Sequence, residues 1–196
     1  MNCIRIAIAL APLIPSFVSA SPLKPDEEIV FFPTAAALST DGTRWIVPVH
    51  GWVFERESGS PTRNALIAAL RISLGLEAED PGDDLFRARA GMFVVDNESG
   101  KEITVRLNDR ILPCPPSGDD GHFRGEFGIP REKGRPGEWV FFTACLPAAD
   151  GRTYAGRALL VPDGAPMVIS DIDDTVKVTE GWRKDARIAN TFARPF

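Results

Sequence analysis

Six apolar runs of strand length, separated by Gly-, Pro- and Asp-rich turns, constrain this chain more tightly than any other feature. "EIVFF" precedes Pro33, and "RWIVPVHGWVFE" alternates Trp45, Val47, Val49 and Val53 on one face with Ile46 and Phe54 on the other. "EITVRL" alternates Ile103, Val105 and Leu107, and "HFRGEFGI" puts Phe123, Phe127 and Ile129 on one face. "EWVFFTACL" and "TYAGRALLV" are apolar enough for strands covered on both sides. Turns such as "PPSGDDG", "REKGRPG" and "PAADG" part them. Short strands without helices between most of them predict an antiparallel sandwich or partial barrel. Pro48 and Gly51 predict an edge or a bulge in the third run.

One helical insertion interrupts the series. In "SPTRNALIAALRISLG", Ser60 can cap, Pro61 suits the first turn, Leu66, Leu70 and Leu74 recur every four residues, and Gly75 ends the helix. "DDLFRARAG" predicts a second, shorter helix with Phe86 and Ala90 on one face. Residues 60–95 are expected to pack on the sheet. Trp45, Trp52 and Trp139 are expected in the core. His50 and His122 read as packing or turn residues of strand-like stretches.

Residues 1–20 carry Arg5, a short apolar segment from Ile6 to Ile14, and Val18-Ser19-Ala20, the pattern of an export signal with a small-residue cleavage site. Pro12 and Pro15 break the segment, which is shorter than the roughly 20 apolar residues a spanning helix requires. The expectation is an exported protein, periplasmic or extracellular, with no transmembrane segment after signal removal. With 22 basic and 27 acidic residues the chain has a formal charge of −5, which argues against nucleic acid as a partner. No dense Lys/Arg cluster supports docking on anionic lipid through charge alone, so a lipid contact would need local shape or apolar residues. Cys114 and Cys145 remain after residue 20; an oxidising compartment permits a disulfide between them, and their spacing leaves pairing open. Neither has the spacing of a zinc ligand.

At Gly164 the pattern changes. Met167, Val168 and Ile169 form an unalternated apolar run, as in a strand buried on both faces of a parallel sheet, and Asp171, Asp173 and Asp174 follow it. Ligands of such sheets bind beyond the carboxyl ends of the strands. Two carboxylates about 4 Å apart repel by about 4 kcal/mol at an effective dielectric of 20, so a partly buried cluster needs a cation or a proton. On an extended strand end, Asp171 and Asp173 point to the same side. One could hold a hard cation and attack phosphorus while the other moves a proton. An EF-hand loop fits poorly, because Val176 replaces its glycine and Trp182 its bidentate glutamate. A solvated acidic turn or helix cap, or a non-catalytic metal site, are the remaining readings of these residues.

Asp171-Ile172-Asp173-Asp174-Thr175 behind a hydrophobic strand resembles the first motif of the haloacid-dehalogenase superfamily. "ISDIDDTVKVTE" with "NTFARPF" resembles more narrowly the catalytic domain of the actin-patch-type phosphatidate phosphatases, and "HGWVFE" and "DGHFRGEF" resemble the β-rich domain that precedes it there. Taken with the residue patterns above, which give an α+β protein with a signal peptide over 1–20 and an N-terminal antiparallel β-sandwich with a helical insertion over 21–163, the resemblance implies that 164–196 is the start of a Rossmann-like α/β catalytic domain. It implies Mg²⁺ as cofactor, held by Asp171 and Asp173, and a phosphomonoester substrate of phospholipid type. Asp171 would be the nucleophile, Asp173 the general acid and base, and Thr175 would fix the loop.

The family's later machinery is a hydroxyl donor to phosphate, a Lys or Arg on the transferring group, and a further acidic pair. Only 25 residues follow Asp171, and a βαβ unit takes about 30 or more, so the expectation is an incomplete, C-terminally truncated catalytic domain with no activity of its own. Two functions stand: an Mg-dependent lipid-phosphate phosphatase, and an exported non-enzymatic β-sandwich binding module with a vestigial tail.

Overall fold

The structure, a computed structural model, describes residues 21–56, 60–75, 83–172, 175 and 180–193. Residues 1–20, with the expected export signal, lie outside the described residues. Among the described residues the fold is α+β, with three helices and a largely sheet core. The strands are β1 (Glu27–Phe32), β2 (Thr34–Leu38), β3 (Arg44–Glu55), β4 (Asp96–Asn97), β5 (Thr104–Leu107), β6 (Arg110–Pro113), β7 (His122–Pro130), β8 (Trp139–Ala144) and β9 (Ala155–Leu160). The helices are α1 (Pro61–Ser73), α2 (Asp83–Gly91) and α3 (Lys184–Ile188), the last continuing into a π-turn over Ala189–Ala193.

The strands run in the order β1-β3-β2-β9-β8-β5-β6, with β4 and β7 also pairing β3. All pairs are antiparallel except β2 with β9, which is parallel. That departs from the expected all-antiparallel arrangement, and the cause is local. β1 pairs the C-terminal half of β3 and the end of β2 pairs its N-terminal half, while Thr34 to Ala36 turn away and lie against Ala158 to Leu160. The β1–β2 run therefore ties the β3 group to the β9 group.

Pro48 does not mark an edge. β3 has β7 along one side and β1 and β2 along the other, and Pro48 stands opposite the gap between the last β1 pair, at His50, and the first β2 pair, at Ile46. The Thr34 hydroxyl donates to the Pro48 carbonyl at 2.6 Å, so that carbonyl faces the gap. A strand residue's nitrogen points to the same edge as its carbonyl, so the missing N–H also faces the gap and costs no ladder bond.

Alternation built the interior as expected. Trp45, Val47, Val49, Val53, Ile103, Val105, Leu107, Phe123 and Ile129 are buried in one cluster with Val140, Phe142, Ala158 and Leu160. Phe31 lies edge-on to Phe123 and to Phe142, at centroid distances of 5.7 and 5.2 Å. Each of those two rings covers the glycine paired with it: a Cβ at Gly51 would stand 2.3 Å from Phe123, and one at Gly156 would stand 2.2 Å from Phe142. These glycines make room for the rings that join the two groups of strands.

β8 and β9 are covered on one face only, against expectation. Val140 and Phe142 turn inward, which by the period of two leaves Trp139 and Phe141 outward at 40% and 63% exposure. Trp139 is therefore not a core residue. Trp52 is half-buried on the outer face of β3, stacked on Phe54 at 4.4 Å, with its indole N–H donating to Asn97. Of the three tryptophans expected inside, Trp45 is the one in the core, at 1% exposure.

The helical insertion begins and ends as its capping residues dictate. The Ser60 hydroxyl accepts from the Arg63 N–H, Pro61 occupies the first turn, and Gly75 takes φ 68° after Leu74. Phe86 and Ala90 are buried together on α2. Its main partner is the C-terminal segment and not the sheet. Phe192 meets Phe86 and Phe93 at 5.7 and 5.8 Å, and Arg89 donates to the Thr191 carbonyl. On α1 the expected apolar stripe is only half covered, with Leu66 54% exposed.

Candidate functional site

The segment Met167–Ile169 is neither strand nor buried: the three side chains are 84%, 88% and 89% exposed and the backbone makes no ladder pairs. A strand buried on both faces needs a strand on each side and layers above and below, and the described residues supply none of these. The charged end of the segment is correspondingly open. Asp171 is exposed; its Oδ1 accepts from the Ile172 N–H at 2.8 Å and its carbonyl accepts from the Ser170 hydroxyl at 2.9 Å. Thr175 is exposed. Asp173 and Asp174 lie outside the described residues. Among the described residues no three His, Cys, Asp or Glu side chains gather as metal ligands. Asp171 by itself does not make the Mg²⁺ site expected here.

The two histidines of the chain, read as unrelated packing residues, meet across β3 and β7. His50 Nε2 lies 3.0 Å from His122 Nδ1, and the Phe32 ring covers both imidazoles at 4.6 and 5.6 Å. Burial, then the positive charges of Arg124 and His122, push the His50 pKa below its ordinary value, with Asp120 opposing. At this distance the two rings share one hydrogen bond, one nitrogen donating to the other. Sequence reasoning had no way to find this pair, because it depends on the register that sets Trp52 opposite His122.

A groove of about 640 Å³ is lined by Pro25, Asp26, Glu28, Arg56, Arg152, Thr153 and Tyr154. Its cations are already engaged. Arg152 donates to Asp150 and to the carbonyls of Lys24, Pro25 and Glu27, and Arg56 pairs with Glu28 at 3.4 Å. Beside it, Glu27 is fully buried and receives Lys101 Nζ at 2.5 Å and the Lys24 N–H at 2.7 Å, while Lys101 also reaches Glu98 at 3.1 Å. Burial pushes the Glu27 carboxyl up, and the hydrogen bonds from Lys101 and Lys24 outweigh it, so its pKa is held below the usual value. This cluster fastens the entering segment to the sheet.

Cys114 and Cys145 are free thiols. The Cys114 N–H donates to the Ile103 carbonyl and the Cys145 N–H to the Thr104 carbonyl, so the two flank β5 from opposite sides. Two strand spacings separate them by about 9–10 Å, beyond the roughly 7 Å that a disulfide tolerates. Their partners are successive residues, which also places the thiols on opposite faces. Burial pushes the Cys114 thiol up to about 11. Compared with protein-family models, with curated proteins and with solved structures, the chain matches none.

Proposed function

We propose that this is an exported, Mg-dependent phosphatase of the actin-patch phosphatidate phosphatase type, acting on a lipid-type phosphomonoester. The observation that carries the reading is the sequence "MVISDIDDTVKVTE" together with "NTFARPF". In this reading an Asp171 oxygen attacks phosphorus, the bond to the ester oxygen breaks, and Asp173 protonates the departing alkoxide. Water then attacks the aspartyl-phosphate, Asp173 takes its proton, and phosphate leaves as the Asp171 carboxylate is restored. Mg²⁺, held by Asp171 and Asp173, is the proposed cofactor, and Thr175 fixes the loop. The upstream strands are read as a β-sandwich, supported by the inward side chains of the β3 and β9 groups meeting in one cluster.

A second reading, an exported β-sandwich binding module without catalysis, is favoured by one observation: among the described residues, the main core cluster includes none after Leu160. Phosphate release from phosphatidate with Mg²⁺, by the protein as its own cells export it, separates the two. The phosphatase reading predicts metal-dependent release that Asp171→Asn lowers by about three orders of magnitude or more. Equal release by both forms eliminates Asp171 as nucleophile, and no release by either leaves the binding module.

A further inference from the structure

Within the strands, the outward positions of β9, β8, β5 and β6 form one continuous face without a carboxylate; the period of two puts the exposed Glu102 on the same side, just before β5 begins at Thr104. Register and burial put Arg157 and Leu159 of β9, Trp139 and Phe141 of β8, Arg106 of β5 and Ile111 of β6 on it, with the remaining outward positions Ala, Thr or Pro. Phe141 is 63% exposed and Ile111 56%, and both arginines are exposed. In a chain with 27 acids against 22 bases, a four-strand face bearing two arginines and no acid is the reverse of the average surface. Four strands span about 15 Å.

We propose that this face docks the protein on an anionic phospholipid membrane. Aromatic rings that carry apolar area beside guanidinium groups suit the boundary between acyl chains and headgroup phosphates. Arginine matches phosphate with two parallel hydrogen bonds. Other occupants fit less well. Two copies face to face would oppose arginine to arginine with no acid on these strands to neutralise them. A partner strand needs a free edge, which among these four strands only β6 has, and pairing there would leave the Trp139 and Phe141 rings of β8, two strands away, uncovered. A sugar would stack on an open indole, whereas the Arg157 guanidinium already stands 4.5 Å from the Trp139 ring centre. The proposal deepens the lipid-phosphate reading above and rests on it for its biological sense: the enzyme's substrate would lie in the surface the face binds.

Vesicle flotation of the whole chain tests it without any catalysis. The probes are vesicles of phosphatidylcholine alone, and of phosphatidylcholine mixed with phosphatidylglycerol or with phosphatidate. Binding is expected to both anionic mixtures alike, to weaken with added salt, and to fall about tenfold in Arg106→Glu/Arg157→Glu and again in Trp139→Ala/Phe141→Ala. All four side chains are exposed, and near-ultraviolet circular dichroism verifies that the variants remain folded. Failure of the wild type to float with anionic vesicles, or undiminished flotation of folded variants, overturns the proposal. So does binding confined to phosphatidate that the variants retain, since it would place recognition elsewhere. Loss of the phosphatase reading alone would leave the vesicle result unchanged.

Discussion

Glu27 is buried because three donors on two lysines converge on its oxygens. Truncating one member of a buried pair leaves the other charge without compensation. Glu27→Gln is therefore expected to lower unfolding free energy by about 3 kcal/mol, read from urea midpoints, with Glu98 limiting the loss through its own contact with Lys101. An unchanged midpoint would mean the cluster contributes nothing. The pairing was invisible in the sequence, where 74 residues separate Glu27 from Lys101. The thiols give a second residue-scale prediction. Cys114, buried with its pKa near 11, should react with an alkylating agent in the native state roughly two orders of magnitude more slowly than an ordinary thiol, and Cys145 should react first. Mass analysis of a non-reduced digest should show no peptide linking the two.

At the scale of elements, local signals were readable and pairing was not. The α1 cap and stop, and the face of α2, follow from residues within a few positions of each other, so Ser60, Pro61, Gly75, Phe86 and Ala90 sat where their chemistry placed them. β2 escaped notice because Thr34-Ala35-Ala36-Ala37-Leu38 has weak strand propensity and is held by β3 and β9. β8 reads as a strand, but a period-2 pattern that is apolar on both faces does not say which face is covered, and the structure covers only that of Val140 and Phe142. The candidate site was legible as a motif and not as a place, because Met167–Ile169 needs flanking strands to become one. Gly156→Ala tests the joining of the strand groups: its Cβ would press on the Phe142 ring and on Phe31 Cβ, 2.8 Å away, and should destabilise by about 1–3 kcal/mol. Gly151→Ala, with open space around the position, should cost far less.

For the whole molecule, acid is the condition that loosens the fold. Hydrogen bonds from Ser39 and Thr43 hold Asp41 at about 2, those from Arg152 hold Asp150 at about 2, and Glu27 lies below its ordinary 4.5. Each folded-state value is below the unfolded one, so the stability these groups give is complete above about pH 4.5 and is lost as pH falls toward 2. The urea midpoint should decline across that window, and a flat profile would contradict the assignment. The proposed phosphatase function rests on Asp171, and the most direct measurement is to quench the protein during incubation with phosphatidate and Mg²⁺ and search the peptide containing residues 167–179 by mass spectrometry. A phosphoryl group on Asp171, absent from Asp171→Asn, is the predicted result; turnover with that carboxylate unmodified, and undiminished in the variant, would contradict it.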